Sequence, residues 1–339
     1  MRTKCNALIS IIFGCVILLC ITPAKAQNPA LKVQKIATDL YLLVGNGGNG
    51  AFLLSSEAVL VVDSKNDPTT AREIVQEVKK LTTAPVRYLV NTHYHGDHTH
   101  GNQVFSPLAT IISHQNTREN IIKFDLPRNE ESRTSRLPQM LREQEAKVAQ
   151  LEAQNSPQLQ EERQRLEELK RTAEELEQLR IIPPSLTFET QCTIYLDDYI
   201  VELIYMGAGH TNGDVVVYFP QQKVIHLGDL LFHQIIPYID VAAGADTAHW
   251  IEILNQVKEM EVETIIPGHG ELTDIAGLEE FINYLSDLRQ EVKNFIDQGQ
   301  TLEDTKENLR LPKYSHFSGY NSSLSRNVEA VYRELTRGN

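Results

Sequence analysis

The chain has 339 residues, 41% of them hydrophobic, enough for one large domain or two small ones with a substantial core. Its formal charge of −13 is a poor electrostatic match for a phosphate backbone, so nucleic acid is not an expected partner. No segment reaches the roughly 20 apolar residues of a bilayer span.

The first 26 residues have the form of an export signal. Arg2 and Lys4 precede an apolar run over Ile9–Ile21, and Ala24-Lys25-Ala26 supplies a small-x-small cleavage pattern before Gln27. Cleavage with release to the periplasm or medium is expected; a retained N-terminal anchor is the rival reading. Leu19 before Cys20 argues against a lipoprotein. Removal of Arg2, Lys4 and Lys25 takes the formal charge from −13 to −16. Cys5, Cys15 and Cys20 leave with the segment, so Cys192 has no partner for an intramolecular disulfide.

Short apolar runs at Tyr41–Val44, Ala51–Leu54 and Val59–Val62 predict strands divided by GNGGNG and by Ser55-Ser56-Glu57. GNGGNG lacks the lysine of a phosphate-binding loop and reads as a hairpin turn at the rim of a cleft. Asp67-Pro68 then opens a helix, with Ile74, Val75, Val78 and Leu81 as its buried stripe. Val86–Val90 and Ala109–Ser113 return to strand.

Between Arg118 and Pro183 the composition turns to Glu, Gln, Arg and Leu, and glycine is absent. Leu159, Leu166, Leu169, Ala173 and Leu176 keep a seven-residue apolar repeat, with Leu141, Val148 and Leu151 as a shorter match. Ser156-Pro157 reads as a cap and first-turn proline. Two helices over Leu137–Asn155 and Pro157–Arg180 are expected, paired as an antiparallel hairpin; one kinked helix is the alternative. The segment reads as a solvated arm, or as a lid or partner-binding element.

Strands are predicted again at Cys192–Leu196, Ile200–Met206, Val215–Phe219, Val224–Leu227 and Thr264–Ile266. Helices are predicted over Asp246–Met260, over Ile275–Gln298 with Gly299 as its stop, and over Ser325–Leu335. Thr301 and Asp304 have capping-box spacing.

The chemistry concentrates in NTHYHGDHTHGN at Asn91–Asn102, where four histidines and an aspartate follow a strand. On an extended chain His93 and His95 project to one side. Gly96 lets the chain turn, bringing Asp97 and His98 to the same region. Five such groups can serve two metal ions if distant residues complete them. Three later segments qualify: GAGHTNGD presents His210, LGD presents Asp229 and PGHG presents His269. Each sets one metal-competent side chain at a strand end beside glycine.

Through His93, His95, Asp97 and His98 in a His-x-His-x-Asp-His motif, and through His210, Asp229 and His269, the chain resembles the metallo-β-lactamase-fold superfamily of metal-dependent hydrolases. The resemblance runs from Leu40 to Gly270, interrupted by the charged segment. It implies an α+β fold, a four-layer αββα sandwich. Residues 27–117 and 183–339 would form that domain, and 118–182 an inserted helical hairpin. By the family's pattern His93, His95 and His210 hold one metal, Asp97, His98 and His269 the other, and Asp229 bridges both. Two zinc ions are the expected cofactor, with iron or manganese as alternatives. Classical β-lactamases of this fold place cysteine or serine where Asp229 stands, whereas glyoxalase II-like and lactonase-like hydrolases use aspartate. Asp63, at the end of VLVVD, resembles a family aspartate that supports the site from behind.

Other histidines read differently. His100 stands where relatives usually have glycine; it reads as a rim residue or as a hydrogen-bond partner of a ligand. His226 reads as a buried core histidine, and His233 as one that could reach substrate. His114, His249 and His316 read as structural or surface residues. Tyr238 and Trp250 are pocket candidates, with packing as the stronger reading.

The implied reaction is hydrolysis of an ester, thioester, lactone or amide in a small-molecule substrate. A metal-bridging hydroxide attacks the carbonyl, and Asp97 orients or relays the proton. Competing readings are a β-lactamase, a mononuclear-iron persulfide dioxygenase and a non-catalytic partner-binding protein. No feature of the sequence reports the oligomeric state.

Overall fold

The computed structural model describes residues 30–337; the expected signal segment 1–26 lies outside the described residues. Seven strands form a first sheet in chain order: β1 (Lys32–Ala37), β2 (Leu40–Val44), β3 (Gly50–Leu54), β4 (Val59–Val62), β5 (Val86–Val90), β6 (Thr110–His114) and β7 (Leu186–Phe188). The first four pair antiparallel, and β4 through β7 pair parallel. The second sheet has the order β12-β11-β10-β9-β8. Its strands are β8 (Gln191–Leu196), β9 (Tyr199–Tyr205), β10 (Val215–Phe219), β11 (Val224–Phe232) and β12 (Thr264–His269).

Period-two alternation sends one side of each sheet to a shared interior. Leu40, Leu42, Leu60, Val62 and Val90 of the first sheet meet Val201, Leu203, Val215, Val217 and Ile266 of the second. The other faces are covered by helices. Helix α1 (Pro68–Leu81), capped by Asp67, lays Ile74, Val75 and Val78 on Phe52, Val59, Val61 and Leu89. Two short helices, α2 (Gly96–Thr99) and α3 (Asn102–Phe105), follow β5. The result is the expected αββα sandwich, since a sheet with two apolar faces needs cover on both.

Leu81 departs from the expectation. It is 48% exposed, because α1 ends there and the chain turns away at Thr82 before a further turn can pack. Strand β1 was not expected either. Its KVQKIA composition is that of a charged edge strand, which carries no apolar run to read.

Helical backbone in the charged segment begins earlier than expected, at Gln115. It runs through α4 (Gln115–Asn120), α5 (Leu126–Glu131) and α6 (Leu137–Ala153), joined by π-helical turns at Ile121–Asp125 and Ser132–Arg136. Asn155, with φ 47°, ends this rod in the left-handed conformation that asparagine tolerates. Helix α7 (Leu159–Gln178) returns antiparallel. Gln144 Nε2 donates to Glu162 Oε2 at 2.7 Å, and Lys147 and Arg163 reach Glu162 and Glu152 across the pair. Ser156 does not cap α7 directly; that place falls to Gln158, whose N–H donates to Ser156 Oγ at 3.3 Å.

The second sheet is covered by α8 (Thr247–Lys258) and α9 (Ile275–Asp297), whose Trp250, Ile253, Leu254, Leu278, Phe281 and Leu285 pack against Ile225, Leu227 and Ile265. Helix α10 (Leu302–Asn308) has the predicted capping box of Thr301 and Asp304. Helix α11 (Tyr320–Thr336) starts five residues before Ser325, behind Gly319. Among the described residues no helix is long and apolar enough to cross a membrane.

Candidate metal centre

The ligand candidates come from the ends of strands in both sheets. Residues after β5 carry His93 and His95, and α2 carries Asp97 and His98. His210 lies between β9 and β10, Asp229 within β11, and His269 at the end of β12. Backbone bonds tie these ends together: Asn91 N donates to Ile112 O at 2.9 Å, and Val215 N to Thr92 O at 2.7 Å. The second of these joins the two sheets at the motif itself.

Strands β11 and β12 run past their predicted ends because the chain continues in irregular register. The β11–β12 pairing shifts at Gly228, which has φ 51°. A Cβ at Gly228 would fall 2.7 Å from Thr92, so glycine there is required twice over, by conformation and by space. The bulge turns Asp229 into the gap between the histidines.

Two groups of ligand atoms result, each lying within 4.8 Å of one another: His93, His95, His210 and Asp229, and Asp97, His98 and His269. In the first, His95 Nδ1 lies 3.0 Å from both His93 Nε2 and His210 Nε2. In the second, His269 Nε2 lies 3.1 Å from Asp97 Oδ2, and His98 Nε2 lies 3.4 Å from the same oxygen. Asp229 stands between them. Its Oδ2 lies 3.7 Å from His93 Nε2 and 3.5 Å from His210 Nε2; its Oδ1 lies 3.1 Å from His98 Nε2 and 3.4 Å from His269 Nε2.

Four of the five histidines have their outer ring nitrogen engaged. His98 Nδ1 donates to Asp63 Oδ2 at 2.7 Å, His95 Nε2 to Asp240 Oδ2 at 2.9 Å, and His210 Nδ1 to Tyr238 O at 2.8 Å. Thr92 Oγ1 gives its proton to Asp63 and lies 3.1 Å from His93 Nδ1, from which it accepts. A donor at each outer nitrogen directs the other nitrogen's lone pair into the centre.

The donor set fits a metal. Buried His98 Nε2 and Asp229 Oδ1 have no hydrogen-bond partner, an arrangement that a cation between them resolves. The local field favours positive charge at this point. Burial opposes a charged His98, but Asp97, Asp229 and Asp63 outweigh it and hold the imidazole well above its ordinary value. At His269, burial is likewise overcome by Asp229 and Asp97, which push it up to about 9. In the first group burial prevails, holding His93 well below the ordinary range and His210 down to about 4, so both present neutral nitrogens. Nitrogen and carboxylate donors in groups of three and four suit zinc and neighbouring transition metals.

His100 is the candidate that the structure moves elsewhere. Its Nε2 lies 3.3 Å from Asp125 of the π-helical turn, and its ring makes no hydrogen bond or ion pair with the seven metal-competent residues. His226 is the expected core histidine, with Nε2 donating to Asn49 O at 3.2 Å and Nδ1 accepting from Gly228 N. His233 is turned away to Glu271 O, 2.9 Å from Nδ1, rather than toward a substrate. His114 stacks on Tyr205, His249 bonds Ala208 O, and His316 pairs with Glu280 at the surface. Trp250 is a core residue bonded to Leu230 O, while half-exposed Tyr238 packs 5.6 Å from the His95 ring at the rim.

Sequence reasoning missed Asp240, Thr92, Asn49 and buried Lys65. The lysine sits two residues past Asp63 in VVDSK, and burial lowers its pKa to about 8 against the pull of Asp63 and Asp97. Lys65 lies in the polar stretch DSKND after the apolar run has ended, so nothing local marks it as buried. A cleft of about 470 Å³ lies beside the centre, between the first turn of α1 and α7. Asn46, Asp67, Arg72, His100, Glu175 and Leu176 line it, and none of the seven metal-competent residues does.

A family profile described as "Metallo-beta-lactamase superfamily" matches residues 44–153 and 155–269. The chain belongs to the metallo-beta-lactamase superfamily. Most members of this superfamily are hydrolytic enzymes. The metallo-beta-lactamase-fold chain is 20% identical to a linear primary-alkylsulfatase of a Pseudomonas species over 79% of its own length, spanning about half (50%) of that protein. It is 19% identical to a metallo-beta-lactamase type 2 of Elizabethkingia meningoseptica, over 79% of its own length and 90% of that enzyme. Among solved structures, a metallo-beta-lactamase from Pontibacter korlensis superimposes with TM-score 0.55 at 18% identity, covering 76% of this chain and 99% of that one. The DIM-1 metallo-beta-lactamase gives TM-score 0.54 at 17% identity over 77% and 99%. At these identities the structural likeness speaks for the fold alone.

Proposed function

We propose that this superfamily member is an exported, zinc-dependent hydrolase that attacks the carbonyl of a small-molecule ester, thioester, lactone or amide. The observation that carries the reading is Asp229, which turns one carboxylate oxygen toward each histidine group. His93, His95 and His210 would hold one zinc ion, Asp97, His98 and His269 the other, and Asp229 both. Zinc held there would supply Lewis acidity, which activates water near neutral pH and polarises a carbonyl oxygen.

The chain's own residues orient this chemistry. Asp63, Thr92, Asp240 and the Tyr238 carbonyl fix four imidazoles through their outer nitrogens. Asp97 is 32% exposed and beside 29%-exposed His269, so it faces the open side, where it orients or relays the proton.

Asp229, where classical β-lactamases of the fold have cysteine or serine, favours a general hydrolase over β-lactam turnover. The alkylsulfatase match brings sulfate esters into the substrate panel, and the Elizabethkingia enzyme brings β-lactams. Metal analysis of protein purified without added metal tests the reading: two zinc ions per chain are expected. One iron would support the persulfide dioxygenase, and no metal a binding protein. Turnover of thioesters, lactones, alkyl sulfates and a chromogenic cephalosporin then separates the hydrolases.

Residues 27–117 and 183–339 are read as the hydrolase domain, with 118–182 as an inserted arm. Export with removal of residues 1–26 is tested by N-terminal sequencing of the mature protein, which should begin at Gln27.

A further inference from the structure

Residues Gly45–Gly50, GNGGNG, join β2 to β3 as a plain turn would, yet they touch every residue of the second ligand group or its immediate backbone. Gly48 N donates to Asp97 O at 3.2 Å. Gly48 also packs so closely on the His98 imidazole that a Cβ there would lie 2.1 Å from Cε1 and 2.3 Å from Nε2. Asn49 N donates to Gly268 O at 2.7 Å. The Asn49 side chain donates to Pro267 O at 3.0 Å and to Gly270 O at 2.8 Å, bracketing His269 from both sides.

The turn is itself held from beneath. Lys65 is fully buried, and its Nζ donates to Leu43 O at 2.9 Å and to Gly48 O. His226 Nε2 donates to Asn49 O at 3.2 Å. The first group uses other supports: Thr92, Asp240 and the Tyr238 carbonyl, all outside this turn.

We propose that the GNGGNG turn, anchored by Lys65, is the positioning element of the second metal half-site, with Asn49 registering His269 and Gly48 registering His98 and Asp97. The physical need is clear from the topology. His269 sits at the end of β12, paired with Phe232 only after two register shifts, and Asp97 and His98 sit on a four-residue helix. Three donors on two separate elements must meet at metal-ligand distance, where tolerance is about 0.2 Å, and the turn touches both elements. Two side-chain bonds from one asparagine and a close glycine contact supply the missing constraint.

This inference rests on the two-metal reading above. The test is cobalt(II) titration of the metal-stripped full chain, followed by visible absorption, with zinc content of the isolated protein measured alongside. The wild type is expected to take two equivalents. Asn49→Ala should bind the first with wild-type affinity and the second about 10- to 100-fold more weakly, the usual effect of losing an outer partner. Gly48→Ala removes no side-chain hydrogen bond but sets a Cβ 2.1 Å from His98 Cε1, so the turn and the ring must move apart; it should show the same selective loss, and it decides the matter if Asn49→Ala does not fold. Two equivalents of unchanged affinity in both variants, or equal weakening of both equivalents, would overturn the positioning role alone. A wild-type chain that takes fewer than two equivalents would overturn the two-metal reading, and the positioning role with it.

Discussion

Oδ2 of Asp63 lies 2.7 Å from Nδ1 of His98, and both side chains are fully buried. Asp63 also accepts from Thr92 N and Thr92 Oγ1, each at 2.8 Å, so one carboxylate orients a metal-competent histidine and the backbone of its loop. Its own φ is 59°, a left-handed conformation that aspartate adopts more readily than most residues. Asp63→Asn keeps the shape and loses the charged acceptor. Turnover or metal affinity should fall about 10- to 100-fold with an unchanged circular dichroism spectrum. Wild-type values for both would show that Asp63 does not support the site.

Asp229 is shared by both ligand groups, so its loss should reach both. In Asp229→Ala the metal content should drop below two, and turnover should fall by more than the roughly 100-fold that outer partners account for. Secondary structure should survive, because β11 is held by pairing on both sides. Near-wild-type turnover in a variant of verified metal content contradicts the bridging assignment.

His226 offers a pH test of the core behind the centre. Burial lowers its pKa to about 4 from 6.5, opposed by Asp63. The unfolded chain therefore binds a proton below pH 6.5 that the folded chain refuses until pH 4. Stability is complete above pH 6.5 and declines as pH falls toward 4, by roughly 3 kcal/mol from this residue. His226→Gln should remove that part of the acid dependence of chemical denaturation; an identical pH slope in both proteins rules the contribution out.

His100 separates the motif's fourth histidine from the ligands. His100→Ala should leave metal content at the wild-type level. It strips buried Asp125 of its neighbour, so stability should fall by about 1–3 kcal/mol. Loss of a metal ion from this variant would make His100 part of the centre after all.

Much of this protein is legible in one dimension because its signals are local. Alternating apolar residues mark the strands, Asp67-Pro68 marks the start of α1, and the seven-residue repeat marks the two arm helices. The seven metal-competent residues are readable for the same reason: four crowd into one motif after β5, and His210, Asp229 and His269 each follow a glycine, where backbones approach closely. What the chain cannot announce locally is which distant group meets which. Asp240 supports His95 across 145 residues, and Asn49 reaches the His269 loop across 218 and 221. No spacing encodes such pairs, because they exist only once two sheets pack face to face. The edge strand β1 and the exposure of Leu81 escaped for a related reason: burial is settled by neighbours in space, not by a residue's own apolarity. His100 shows the same division within NTHYHGDHTHGN, where four histidines look alike in sequence and pairing with Asp125 takes one of them away from the two donor groups.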